Sequence, residues 1–88
     1  MWTVIISPDV QSFLKKQDKQ IEERLRKGLR KLECENPFHF LEHFEDMNYY
    51  KFRIGNYRAL MDMDFSQKLV KVLILDHRSI IYKRYKQK

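Results

Sequence analysis

The chain has 88 residues, 43% hydrophobic and 14% aromatic, which is too rich in core-forming side chains for a disordered polar segment and enough for one domain over positions 1–88. A chain of this size buries only about 60% of the surface it exposes when unfolded, so a second lobe is excluded, and the lone Cys34 excludes an internal disulfide and a thiolate zinc cage. The formal charge of +6 is uneven: positions 1–50 hold 8 basic and 9 acidic residues, positions 51–88 hold 10 and 3, so a polyanion such as nucleic acid is the expected partner, with a merely solvated basic face as the alternative.

Trp2 to Ile6 is an apolar, β-branched run that lacks a basic leader and falls well short of the roughly 18 residues of a membrane span. No membrane is expected, and a reducing cytoplasm fits. Ser7-Pro8 supplies an N-cap followed by proline at the first helical position, so strand gives way to helix there. Val10, Phe13 and Leu14 share one face of that helix. Asp18 offers a second N-cap, after which Ile21, Leu25, Gly28, Leu29 and Leu32 continue a 3.6-residue stripe. The two stripes predict an αα-hairpin, and Gly28, about 1 kcal/mol worse than alanine in a helix, is best explained by close packing on a sheet.

Asn36-Pro37 ends the second helix, because a residue before proline is pushed out of the α region. A loop of about a dozen residues is expected next. Beyond it the period becomes two in Tyr50 to Ile54 and again in Tyr57 to Met61, with Gly55-Asn56 between them as a two-residue hairpin turn. A second turn near Ser66-Gln67 leads into Leu69 to Leu75, which lacks strict alternation and therefore pairs centrally or is covered on both faces. The tail from Ser79 to Lys88 mixes Ile80, Ile81, Tyr82 and Tyr85 with Lys83, Arg84, Lys86 and Lys88, and reads as a short basic helix or a frayed end. The predicted class is α+β: an N-terminal strand, an αα-hairpin, and an antiparallel three-stranded meander with helices on one face.

A two-residue turn fixes the register of the first hairpin, setting Ile54 opposite Tyr57, Arg53 opposite Arg58, Phe52 opposite Ala59 and Lys51 opposite Leu60. One side then gathers Tyr50, Phe52, Ile54, Tyr57, Ala59 and Met61 against the helices. The other collects Lys51, Arg53 and Arg58 on an open face. Like charges directly opposite one another destabilise by roughly 0.2–1 kcal/mol, whereas paired guanidinium groups match phosphate oxygens in a two-pronged geometry. Asp62 and Asp64 continue that face, and a solvated surface with Asp62 neutralising an arginine is the bland alternative. The last strand runs into Asp76-His77-Arg78, then Tyr82. Arg78 can hold a further phosphate oxygen, His77 has an unperturbed pKa near neutrality, and Tyr82 can stack on a base or move a proton.

The run Tyr50-Lys51-Phe52-Arg53-Ile54-Gly55-Asn56-Tyr57-Arg58, an apolar strand, then His77-Arg78 and Tyr82 resembles the RelE/ParE toxin superfamily, in particular its RelE branch as found in archaea. The resemblance spans the chain, from the first strand through the helical hairpin and Asn36-Pro37 to the meander, a RelE-like toxin domain. It implies the toxin of a type II toxin–antitoxin pair, a ribosome-dependent mRNA endoribonuclease (mRNA interferase) that inhibits translation and is held inactive by a RelB-like antitoxin. It also implies site residues: Lys51 and Arg53 match the family's basic pair, Arg58 its hairpin arginine, Arg78 its last-strand arginine and Tyr82 its C-terminal tyrosine. In that chemistry the 2′-OH attacks its own phosphorus and the transition state gains negative charge that cations can neutralise. Arg58 and Arg78 would stabilise the phosphate, Lys51 would bind it or assist deprotonation, Tyr82 would stack or transfer a proton, and His77 is the candidate general acid. Arg53, Lys83 and Arg84 would bind the RNA backbone. No metal and no small-molecule cofactor is implied.

Two rivals remain open: a ParE-like protein that poisons DNA gyrase or another topoisomerase, and a non-catalytic RNA-binding module. For a toxin, the sheet edges and the Ile80, Ile81 and Tyr85 side chains are candidate antitoxin-docking surfaces. His39-Phe40-Leu41-Glu42-His43 matches the H-x-x-E-H string of inverted zinc peptidases, but that chemistry needs a stable helix and a third ligand. A loop whose Phe38, Phe40, Leu41 and Phe44 cap the core is the expectation instead.

Overall fold

The computed structural model describes residues 1–44 and 49–85. The chain runs β1 (Thr3–Ile6), α1 (Pro8–Lys16), α2 (Lys19–Arg30), a 3-10 turn (Pro37–Phe40), β2 (Leu41–Phe44), β3 (Tyr49–Ile54), β4 (Tyr57–Asp64), β5 (Leu69–His77) and α3 (Arg78–Arg84). The caps fall where the sequence places them. Ser7 Oγ accepts from the Val10 amide at 3.2 Å and Asp18 Oδ1 from the Ile21 amide at 3.0 Å, each satisfying an amide that has no partner within its helix. Ser7 Oγ also donates to the Leu73 carbonyl (3.3 Å), tying the start of α1 to β5.

The strands form one sheet in the order β1-β5-β4-β3-β2, with β1 parallel to β5 and the other neighbours antiparallel. The αα-hairpin carries the chain from β1 across one face to β2 at the opposite edge, and the β2–β5 meander then returns it to pair β5 parallel with β1. The meander and its first turn have the expected register, with Arg53 directly opposite Arg58. The segment after Pro37 is more ordered than a loop. It makes the 3-10 turn and then β2, whose Leu41 and Phe44 pair with Phe52 and Tyr49. His39 therefore sits in the turn and His43 on a strand, its ring edge-on to Tyr50 at 5.4 Å. The helical spacing required of a peptidase string is lost. The remainder of the expected loop, positions 45–48, lies outside the described residues, as do Lys86 and Lys88 of the expected tail.

On one face, Val10 and Leu14 of α1 and Leu25 and Leu29 of α2 bury against Phe52, Ile54, Ala59, Met61, Val70 and Val72. Gly28 lets α2 settle on β3: a Cβ there would lie 2.9 Å from Ile54 Cγ2. Between β4 and β5 the register slips. Leu60 opposes Ile74 while Met61 opposes Val72, so Leu73 is an extra residue in β5. That bulge explains the broken alternation of β5, because Val72 and Leu75 both reach the main core across it.

The opposite face carries a second, smaller core of Phe44, Leu60 and Ile81, flanked by Tyr49, Ile74 and Tyr85. Ile81 brings α3 down onto it. The basic tail is thus a helix that closes the face away from α1 and α2. Among the described residues no helix is long and apolar enough to cross a membrane.

Candidate functional site: cations closed under a tyrosine

Strand alternation places Lys51, Arg53 and Arg58 on the second face, as the register requires. The face is not open. Lys51 is only 9% exposed and Arg58 only 4%, because α3 lies over them and its Tyr82 closes the gap. Tyr82 Oη accepts from Arg58 Nε at 3.1 Å and from Lys51 Nζ at 3.4 Å. Its ring also faces both cations, with Lys51 Nζ 5.2 Å and Arg58 Cζ 5.8 Å from the centroid.

Arg58 is anchored as well as covered. Its Nη1 donates to the carbonyls of Gly55 (2.8 Å) and Tyr57 (2.9 Å), so the guanidinium is fixed to the turn that positions it. Among the described residues Nη2 makes no hydrogen bond. Two cross-strand neighbours oppose each other electrically: Arg53 on β3 repels Arg58, and Asp76 on β5 attracts it. The Asp76 carboxylate is turned toward the His77 amide, which donates to it at 2.7 Å. Lys51 has its own counter-ion in Glu42, 3.8 Å away on β2.

The Tyr82 phenol is shifted by these neighbours. Partial burial pushes it up, but the hydrogen bonds from Arg58 and Lys51, together with their charges, outweigh that effect and hold it below the ordinary tyrosine value. A phenol in that state gives up its proton more readily than a free one.

The remaining candidates separate. Arg78 begins α3, exposed, and its amide donates to the Asn56 carbonyl at 2.7 Å, so the second end of the site meets the same hairpin turn. Arg53 and Lys83 are exposed at the rim. Arg84 lies farther off, bordering a cavity of about 370 Å³ between the end of α3 and α1. His77 is not brought to the Tyr82 hydroxyl. It is the N-cap of α3: its Nδ1 accepts from the Ser79 amide at 3.2 Å and lies 2.9 Å from Ser79 Oγ, and its ring packs edge-on against Tyr57 on the helix-covered side. Asp62 faces Lys71 rather than an arginine. Of the candidate docking residues, Ile80 is exposed, while Ile81 is fully buried and Tyr85 half-buried in the second core.

Sequence reasoning missed the second core and the carbonyl cradle of Arg58. Leu60 was the available signal: by alternation it shares a side with Arg58 and Asp62, and an apolar residue there requires a cover.

Two helices thus layer one face of a five-stranded sheet, with basic residues gathered at one hairpin beneath a C-terminal tyrosine on the other. The chain belongs to the family described as "ParE toxin of type II toxin-antitoxin system, parDE", which it matches over residues 4–82. Its solved neighbours lie on the RelE side of that superfamily. One is the RelBE2 toxin-antitoxin complex from Mycobacterium tuberculosis, with 25% identity, a TM-score of 0.76 and coverage of 88% of this chain and 98% of that one. Another is the archaeal RelE-RelB complex from Pyrococcus horikoshii OT3, with 28% identity, a TM-score of 0.67 and coverage of 88% and 94%. The intact Escherichia coli RelBE complex, 16% identical with a TM-score of 0.67 over 88% and 96%, shares the fold. No curated protein sequence matches the chain.

Proposed function

We propose that this toxin is a ribosome-dependent mRNA endoribonuclease whose partner is a RelB-like antitoxin. The observation that carries the reading is the Tyr82 hydroxyl, an oxygen held between Lys51 Nζ and Arg58 Nε at hydrogen-bond distance from both. A non-bridging phosphate oxygen has the same needs and more charge, so an mRNA phosphate can replace the phenol oxygen there. Family membership and neighbours that are complexes with RelB support the toxin and its antitoxin.

In the proposed reaction the 2′-oxygen attacks the adjacent phosphorus and the bond to the 5′-oxygen breaks, leaving a cyclic phosphate and a free 5′-hydroxyl. Arg58, pre-fixed by two carbonyls, and Lys51 neutralise the charge that develops on the phosphate, which requires no reorganisation of Arg58 when the transition state forms. The phenol freed from its two donors supplies the proton that the 5′-oxygen takes up, while the 2′-OH proton passes to a base provided by the ribosome-bound substrate complex or solvent. Arg78, Arg53 and Lys83 hold the flanking backbone from the rim. His77 serves as the helix cap that places Arg78, not as the acid.

A specific observation favours the second reading, a ParE-like topoisomerase poison: the family description itself, which names ParE. Primer extension on mRNA with and without ribosomes, beside a gyrase supercoiling assay, separates the two. Cut ends that require ribosomes and are lost in Arg58→Ala and Arg78→Ala are expected, with supercoiling unaffected. Inhibited supercoiling without cut mRNA, or full cleavage by both variants, would overturn the proposal.

A further inference from the structure

The Gly55-Asn56 turn has an arginine on each side. On the tyrosine-covered face Arg58 Nη1 holds the Gly55 carbonyl at 2.8 Å. On the helix side the Arg24 guanidinium lies so close over Gly55 that a Cβ at that position would have to displace it, and the positive φ of 57° favours glycine independently. Arg24 is the first of three exposed cations, Arg24, Lys27 and Lys31, that fall on one narrow stripe of α2 and its C-cap at 3.6 residues per turn. The stripe faces the edge of β3 where Arg53 and Ile54 extend past the last β2 pair, Leu41 with Phe52. Helix and strand edge enclose an open groove of about 350 Å³ whose charged lining is Arg24, Lys27, Lys31 and Arg53, with no carboxylate among the lining residues. None of the four takes part in an ion pair among the described residues.

The bland explanation covers only part of this. Lys27 and Lys31 sit near the C-terminal end of α2, where cations complement the helix dipole. Arg24 is mid-helix and Arg53 is on the strand across the groove, so the dipole explains neither. Like charges one turn apart weaken a helix by about 0.2–0.5 kcal/mol per pair, and Gly28 at the groove floor draws the stripe still closer to Arg53. The groove also lacks an exposed aromatic on which a base could stack, since its one ring, Phe52, is 6% exposed. Such a surface reads phosphates and ignores sequence.

We infer that this groove is a second RNA-binding surface, meeting the Tyr82 site at Arg53 on their shared rim, that takes the sugar–phosphate backbone of double-helical RNA, with the Gly55-Asn56 turn as the saddle between the two. The choice of RNA as the polyanion rests on the proposed nuclease reading; the cationic groove does not. The test measures binding of the full chain to a fluorescently labelled RNA hairpin duplex of arbitrary sequence across a salt series. Each backbone phosphate contact contributes close to one unit to the slope of log affinity against log salt, so Arg24→Gln/Lys27→Gln/Lys31→Gln should lower that slope by about 2 or more and weaken binding at least about tenfold. Lys15→Gln/Lys16→Gln/Lys19→Gln, which removes the same charge from exposed positions elsewhere, should change the slope by less than about 1. Equal losses in both triples, or none in the first, would overturn the groove. Ribosome-dependent cleavage by wild type and Arg58→Ala in parallel reports on the nuclease reading alone: a groove that binds without any cleavage leaves the first inference standing and removes the second.

Discussion

Replacing Ile81 by alanine should release α3 and, with it, Tyr82. A seven-residue helix has no independent stability in water, so α3 exists because Ile81, fully buried, docks against Phe44 and Leu60. Truncating a buried isoleucine to alanine removes about 2–5 kcal/mol, and the lower end applies here because the cluster is small and a solvent-side element can lift instead of leaving a cavity. For a domain of this size about 2 kcal/mol corresponds to a fall in Tm of roughly 8–16 °C if unfolding stays all-or-none. The two limits are told apart by amide hydrogen exchange. Local release makes the amides of α3 exchange rapidly while those of β4 and β5 keep their protection, and Tm then falls by less than that range. In either limit Tyr82 is no longer held beside Lys51 and Arg58, so the proposed proton donor is misplaced and cleavage should fall along with the docking of α3. Amides of α3 as protected as in the parent, with Tm unchanged to within about 2 °C, would refute the view that Ile81 is the fastener.

Two further outcomes follow from the same geometry. The Tyr82 phenolate should be the first tyrosine to appear as pH rises, seen in phenolate absorbance, and Tyr82→Phe should delete that component while Arg58→Ala moves it upward. Because the folded value is lowered, the stabilisation it provides is present above the ordinary tyrosine pKa and lost as pH falls through the lowered one. A first component that survives Tyr82→Phe would assign it elsewhere. His77→Asn keeps a side-chain oxygen for the Ser79 amide but removes the imidazole, and should leave both Tm and cleavage near the parent's. An imidazole acting as general acid would instead take a factor of about 10²–10⁴ of the rate with it.

Local rules carried much of the fold. Ser7 and Asp18 cap helices because short polar side chains satisfy free amides within their own turn, and Gly55-Asn56 sets the β3–β4 register because two residues can close a hairpin in few ways. From register came the shared side of Lys51, Arg53 and Arg58, and with it the outline of the site. The exposure of those residues was not legible. Whether a cation is open or covered depends on what packs across from it, and α3 is too short to have a fate of its own until Phe44 and Leu60 give Ile81 a place to dock.

Histidine 77 shows the same divide: its chemistry suggests a proton carrier, yet the end of β5 turns its ring to Tyr57 and occupies Nδ1 with the Ser79 amide. The basic stripe of α2 follows from helical spacing once the helix is placed, but its opposition to Arg53 needed the crossing of α2 over β3 at Gly28. What the sequence by itself determined is what neighbours along the chain determine: caps, turns, register and the sign of the charge. Only the tertiary structure decided which cations are held under Tyr82 and which line a groove, because contacts between residues far apart in the chain arise from packing, which no local preference specifies.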